Sequence, residues 1–279
     1  MKNNLARSIR IATWNLERPK FNGWKKNPLI REKIREIDAD IWVLTETNAS
    51  IVPESKSDPQ AGYVAVASLP DTLHSLGKFS RGENCSTIWS RFGVKKSIKT
   101  FDAGTAVCAE VTTPLGPVVV YGTILTYHGD RGPKQNSKLW EEHEKEIQRH
   151  GDDWWQIRSV VSNTPLIVAG DFNQTRDGSG AYCSPNGIAL LNEQLSRNNL
   201  TCLTDEDFGA TGKITVSPWS RTGTYRHNID HIGVSEGYFD VLEVGAWDHF
   251  TSDQELTDHN GVFVDLRLTV SGENPTLPD

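Results

Sequence analysis

The chain has 279 residues, 36 acidic against 29 basic, a formal net charge of −7 and a hydrophobic share of 37%. That composition excludes a disordered, collagen-like or coiled-coil chain, and no stretch approaches the ~18 consecutive apolar residues of a membrane span. A chain of this length buries roughly three quarters of its unfolded surface without disulfides or structural metals.

In chain order, β-branched and apolar runs bounded by Gly, Pro, Asn or Asp predict strands. The first two run from Ile9 to Asn15 and from Ile41 to Thr45. Between them, Pro28 to Asp38 carries Ile30, Ile34 and Ile37 on one face, the period of a helix packed on a sheet. Further strands are predicted at Tyr63 to Ser68, Ser86 to Ser90, Thr105 to Thr112 and Val118 to Tyr127. Asn136 to Ser162 has room for a long helix, with a break expected at Gly151, and Leu166 to Gly170 follows as a strand. Ser184 and Pro185 suit the N-cap and first turn of a helix whose buried stripe is Ile188, Leu191 and Leu195. The last strands are Asn228 to Val234, Tyr238 to Val244 and Gly261 to Val270. Such an alternation predicts a mixed α/β domain of two packed sheets with helices outside. Residues 1–270 are expected to form one domain, and the tail SGENPTLPD, 271–279, to be frayed.

Cys85, Cys108, Cys183 and Cys202 lie far apart with no CxxC pair, which argues against zinc and against a disulfide framework. The opening MKNNLARSIRIATWN has no leader-like apolar run, so a reduced, cytoplasmic protein is expected. Nothing reads as an oligomerisation helix, and a monomer is the default. From Arg18 to Pro28 the chain reads RPKFNGWKKNP, with Arg18, Lys20, Lys25 and Lys26 as cations, Phe21 and Trp24 as aromatics, and no acid. That composition suits a loop that meets phosphates and stacks on a base or sugar; a solvated surface loop is the plainer alternative.

Polar residues that a core would avoid stand at the ends of apolar runs: Asn15 and Glu17 in IATWNLE, Glu46 in DIWVLTE, Asp171 and Asn173 in LIVAGDFN, Asp230 in HNID, Asp258 and His259 in LTDHNG. Each alone has a plainer role, as turn former, helix cap or surface pair. Together, strand ends that meet on one rim would gather four or five carboxylates there, which repel unless a cation neutralises them. Carboxylates, amides and imidazoles without a thiolate cluster favour a hard ion, Mg²⁺ or Mn²⁺. Such an ion keeps several waters and binds through one or two carboxylates plus a substrate phosphate, so a phosphate ester is the expected substrate.

TWNLE, LTE, GDFN, NIDHIGVS and TDHNGVFVDL, in this order, resemble the motifs of the endonuclease/exonuclease/phosphatase (DNase I-like) superfamily. The resemblance runs from Ile9 to Leu268 and implies a four-layer α/β sandwich with its site at one end. It implies Glu46 as main metal ligand with Asn15, assisted by Glu17 or Asp258. Asp171 would orient or deprotonate the attacking water. Asn173 and His128, in VVVYGTILTYHGD, would hold nonbridging phosphate oxygens, and His259, oriented by Asp230, would contact the phosphate. Glu83 or Asn84 would support the His128 side. Thr45 before Glu46, Thr257 before Asp258 and His231 after Asp230 depart from the commoner pattern, which bears on subfamily and removes no ligand or base.

The expected activity is a divalent-cation-dependent phosphodiesterase, foremost a nuclease acting on DNA or RNA, with Arg18, Lys20, Trp24, Lys25 and Lys26 on the substrate and Trp219 as a further stacking candidate. A phosphatase or phosphodiesterase acting on an inositol phosphate or lipid head group is the alternative, and an inert binding module of the same fold the third reading.

Overall fold

The computed structural model describes residues 8–60, 62–69, 81–161 and 163–269. The tail at 271–279 and the expected element ends at Val270 and Ser162 lie outside them. Among the described residues there are twelve strands and three helices, and they build two six-stranded mixed sheets. One sheet runs β11-β12-β1-β2-β4-β3, from β1 (Ser8–Asn15), β2 (Ile41–Asn48), β3 (Val64–Ala67), β4 (Glu83–Ser90), β11 (Phe239–Trp247) and β12 (Gly261–Leu268). The other runs β5-β6-β7-β8-β10-β9, from β5 (Gly93–Ile98), β6 (Ala106–Thr113), β7 (Gly116–Ile124), β8 (Leu166–Asp171), β9 (Leu200–Cys202) and β10 (Asp230–Ser235).

Alternation along the strands decides what lies where, because successive side chains point to opposite faces. Ile9 and Ile11 of β1, Ile41 and Val43 of β2, and Val262, Val264 and Leu266 of β12 meet Val118 and Val120 of β7, Ile167 and Ala169 of β8, and Ile232 and Val234 of β10 in a buried core between the sheets. The opposite face of the first sheet, with Ala12, Trp14, Trp42 and Leu44, is covered by Ile30 and Ile34 of helix α1 (Lys26–Ile37). The opposite face of the second, with Tyr121, Leu166 and Val168, is covered by α2 (Glu141–Val160) and α3 (Pro185–Arg197), through Ile147, Trp154, Leu191 and Leu195. The order helix, sheet, sheet, helices is the four-layer α/β sandwich expected from the sequence.

Several local expectations are corrected. Gly151 does not break α2, which is continuous through it. A Cβ at Gly151 would come within 2.1 Å of Gln194 Oε1, so this glycine lets α2 and α3 approach. Helix α2 starts at Glu141 rather than Asn136. Strand β5, GVKKSI, was not expected; it is an exposed edge strand carrying two lysines, a usual defence against edge-to-edge pairing. Strand β9 has three residues and was also missed. The N-cap of α3 is as read: the Ser184 hydroxyl accepts from Gly187 N at 2.8 Å. All four cysteines are free thiols.

Two buried histidines set an acid limit on this fold. Burial pushes the His150 imidazole down to about 3 and that of His231 down to about 4. Since both folded values lie below the ~6.5 of an unfolded histidine, the unfolded chain binds more protons in between. Their contribution is therefore complete above about pH 6.5 and is lost as pH falls toward 4, at about 1.4 kcal/mol per pH unit for each ring. Urea midpoints measured from about pH 7 to pH 5 are expected to fall steadily; a flat profile would contradict neutral burial of these rings.

Candidate active site

Asn15, Asp171 and Asp230 continue the inward-facing rows of their strands, two residues beyond Thr13, Ala169 and, in the other direction, Ile232. Apolar packing between the sheets stops at that end, and the same face turns polar. Asp230 and Asp171 are register partners across β10 and β8, which places two buried carboxylates side by side. His259 is brought in by the turn before β12: Thr257 Oγ1 donates to Asn15 O at 2.7 Å, and Trp14 Nε1 donates to His259 O at 2.8 Å. Gly170 has φ +139°, and a Cβ there would lie 1.8 Å from Thr123 O on β7. Only glycine lets the strand present Asp171 here.

Within the group, Asp230 Oδ2 is 2.6 Å from His259 Nδ1, and His259 Nε2 is 3.9 Å from Asp171 Oδ2 and 3.7 Å from Asp258 Oδ1. Asp171 Oδ2 accepts from Asn15 Nδ2 at 2.9 Å and from Asn173 Nδ2 at 3.0 Å, and Oδ1 accepts from Asn173 N at 2.8 Å. Burial pushes the Asp171 carboxyl up to about 8, and the neighbouring Asp230 adds to this, while the His259 charge and the asparagine hydrogen bonds oppose it. At His259 burial works against the charge, yet Asp171 and Asp230 prevail and push the imidazole up to about 10. The two groups titrate as a pair, since the charge on each stabilises the charge on the other. A cationic His259 gripped by Asp230 is the direction the 2.6 Å contact supports.

The other expected residues divide. Glu46 lines the same cleft; its backbone turns through φ 41°, and its carboxylate accepts from Arg18 Nε at 2.8 Å. Arg18 also donates to Glu83 at 3.0 Å, so Glu83 belongs to the Arg18–Glu46 side and not to His128. Asp258 lines the cleft and is exposed. Glu17 does not join them: it is paired with Lys26 at 3.2 Å and borders a separate depression of about 500 Å³. Lys20, Trp24, Lys25 and Lys26 line that depression too, with Trp24 77% exposed, whereas Arg18 reaches both. Lys26 begins helix α1, so the expected loop is partly helical.

His128 is not brought to the cleft. It sits behind the wall, 2.8 Å from Tyr182 Oη and packed on Trp140, while Tyr127 and Tyr182 line the cleft. Adjacent residues of an extended segment face opposite ways, so a shift of one position exchanges Tyr127 for His128. Asn173 also differs from expectation. Both amide hydrogens are used, on Leu125 O at 2.8 Å and on Asp171, so it orients Asp171 and has none left for a phosphate. Sequence reasoning missed Tyr127, Tyr182, Arg221, Arg226 and His227 on the cleft wall. Tyr127 stands in the run already singled out; Tyr182, in a loop between β8 and α3, carries no local signal.

The donor set suits a hard divalent cation. Carboxylates of Glu46, Asp171 and Asp258 and the His259 imidazole border a cleft of about 1830 Å³ in which Cys85 is the one thiol, and Asp230 stands behind His259 at its Nδ1. Asp230 Oδ1 is buried with no hydrogen-bond partner among the described residues, a costly state unless a cation or water meets it. Asp171, Asp230 and His259 each place a ligand atom within 4.8 Å of the others.

Comparison with known proteins gives the family and the fold. The model of the Endonuclease/Exonuclease/phosphatase family matches residues 12–265. Among curated proteins none matches significantly. Similar solved structures include the human Nocturnin catalytic domain with bound sulfate anion, at TM-score 0.65 and 20% identity over 94% of each chain. AP endonuclease LMAP from Leishmania major has TM-score 0.61 and 16% identity over 94% of this chain and 89% of that one. An endonuclease/exonuclease/phosphatase from Beutenbergia cavernae DSM 12333 has TM-score 0.59 and 20% identity over 94% and 72%. At these identities the structures speak for the fold.

Proposed function

Because the chain belongs to the endonuclease/exonuclease/phosphatase family, we propose that it is a Mg²⁺- or Mn²⁺-dependent phosphodiesterase whose substrate is nucleic acid. The observation that carries this reading is the meeting of Asp171 from β8, His259 from the turn before β12 and Glu46 from β2 in one open cleft, with Asp230 of β10 holding His259 from behind. Glu46, with Asn15 paired beside Thr45 on the neighbouring strand, is the side of the cleft that would hold the ion, and Asp258 lines the same cleft. When bound, a divalent ion neutralises phosphate charge and activates the phosphorus as a Lewis acid.

The remaining work falls to the chain's own groups. Asp171, held by three hydrogen bonds and made more basic by burial, accepts the proton of the attacking water at Oδ2 in its carboxylate form. His259 turns Nε2 toward the phosphate as a cation, and Asp230 at Nδ1 fixes the ring's orientation, the same orienting role a carboxylate has in hydrolase triads. Asn15 and Asn173 hold Asp171 in place. Arg18, bridging Glu46 and Glu83, is the cation of the sequence-read loop that reaches the cleft. Lys20, Trp24, Lys25 and Lys26 stand on the adjoining depression.

Basic and aromatic side chains on the cleft wall favour a nucleic acid over an inositol phosphate or lipid head group. Among the described residues no helix is long and apolar enough to cross a membrane. The test is a panel of single- and double-stranded DNA, RNA, abasic DNA and inositol phosphates assayed side by side with Mg²⁺ and Mn²⁺. Cleavage of at least one nucleic acid in preference to every inositol phosphate is expected. Turnover confined to inositol phosphates would overturn the substrate assignment.

A further inference from the structure

Beyond the carboxylate group, the cleft has a second concentration of chemistry on one wall. It comes from the long connection between β9 and β10, which contributes Trp219, Arg221, Arg226 and His227 to the lining. This wall abuts the site: Arg226 donates to Asp258 O at 2.6 Å, and Asn260 Nδ2 donates to Arg226 O at 2.7 Å. Resting on the nuclease reading above, we propose that this wall is a subsite for the phosphodiester and base next to the bond being cut, so that the substrate is a nucleic-acid strand rather than an isolated phosphate ester.

Three features carry the assignment. Arg221 is exposed on the cleft wall and has no ion-pair partner among the described residues, which leaves its fork of donors to an anion. His227 is oriented: Asp177 Oδ2 lies 2.6 Å from Nδ1, so Nε2 is the ring nitrogen left to a ligand. Trp219 is edge-on to Phe250 at 6.1 Å and still 42% exposed, and Tyr127 is 55% exposed elsewhere on the cleft's rim. Rigid exposed rings beside cations are how single strands are held without sequence preference, by base stacking and backbone charge together. A compact polyphosphate would use the cations and leave the rings idle, so the rings decide for a strand. The depression lined by Trp24, Lys25 and Lys26 is the competing path.

The plain alternative is that the His227–Asp177 pair only ties two loops together, so the test rests on Arg221 and Trp219, whose removal opens no core. Binding of a fluorescein-labelled oligothymidylate is followed by anisotropy in chelator, where turnover does not enter. Arg221→Ala and Trp219→Ala are each expected to weaken binding about tenfold, and Arg221→Ala to lower the slope of log Kd against log salt by about one. Binding within twofold of the parent in both variants would overturn the proposal. So would a loss seen only on replacing Lys25 and Lys26, or displacement by inositol hexakisphosphate to which Trp219→Ala is indifferent. Failure of the nuclease reading shows separately, as strand binding with no strand cleavage on adding Mg²⁺ or Mn²⁺.

Discussion

Replacing Asp171 by Asn is expected to lower metal-dependent phosphodiester hydrolysis by about 10²- to 10⁴-fold, the range supplied by a positioned general base, while leaving the melting temperature within about 5 °C of the parent. The two halves of this expectation have one cause. Asp171 lies at the end of β8, where the inter-sheet core would otherwise continue, and its buried carboxyl is pushed up to about 8. An acid whose folded value exceeds its unfolded ~3.8 loses stability as pH rises between the two, so at neutral pH, where the unfolded carboxyl is ionised and burial favours the proton on the folded one, the group burdens the fold. Asparagine removes that burden. It also sets an amide where Asn15 Nδ2 and Asn173 Nδ2 now donate, and the loss of these contacts offsets the gain. Turnover and thermal unfolding of the same preparation check both parts. A collapse in stability together with activity would mean that Asp171 is a structural residue.

Replacing Glu46 by Gln is expected to raise the Mg²⁺ or Mn²⁺ concentration at half-maximal rate at least about tenfold, in the range seen when groups that support a metal site are altered. Glu46 is half-buried on the cleft wall and its charge is met by Arg18 at 2.8 Å. Glutamine keeps the shape and one acceptor oxygen for Arg18 but removes the anionic donor that a hard cation prefers. The fold should be little affected, because a half-exposed ion pair contributes at most about 1 kcal/mol. The measurement is initial rate against ion concentration in chelator-treated buffer. An unchanged half-saturation with lowered maximal rate would move the ion away from Glu46, toward the Asp171, Asp230 and His259 group.

What could be read in the sequence followed from periodicity. Ile9, Ile11, Ile167, Ala169, Ile232 and Val234 alternate as inward-facing strand residues, and Asn15, Asp171 and Asp230 stand in phase with them, so their convergence was implicit in the strand pattern. Ser184 and Pro185 announced α3 because capping is local. What escaped depends on tertiary contact. Gly151 reads as a helix breaker until Gln194 of the neighbouring helix is seen to occupy the place of its missing side chain. His128 and Tyr127 differ by one position, and periodicity fixes the face of a residue only where the register of the strand is known; β7 ends at Ile124, short of both. Lys25 and Lys26 look like cleft cations by composition, yet α1 begins there and turns them to the adjoining depression. The wall from Trp219 to His227, of which only Trp219 was singled out in the sequence, lies in a long irregular connection that carries no period at all.

The measurement that bears most directly on the whole account is the hydrolysis of an aryl phosphodiester by the parent protein and by Glu46→Gln, titrated with Mg²⁺ and Mn²⁺ from a chelated start. Silence in chelator, saturable recovery with either ion, and a rightward shift for Glu46→Gln is the outcome these strand-end groups call for. Undiminished turnover in chelator, or none at any ion concentration, would contradict it.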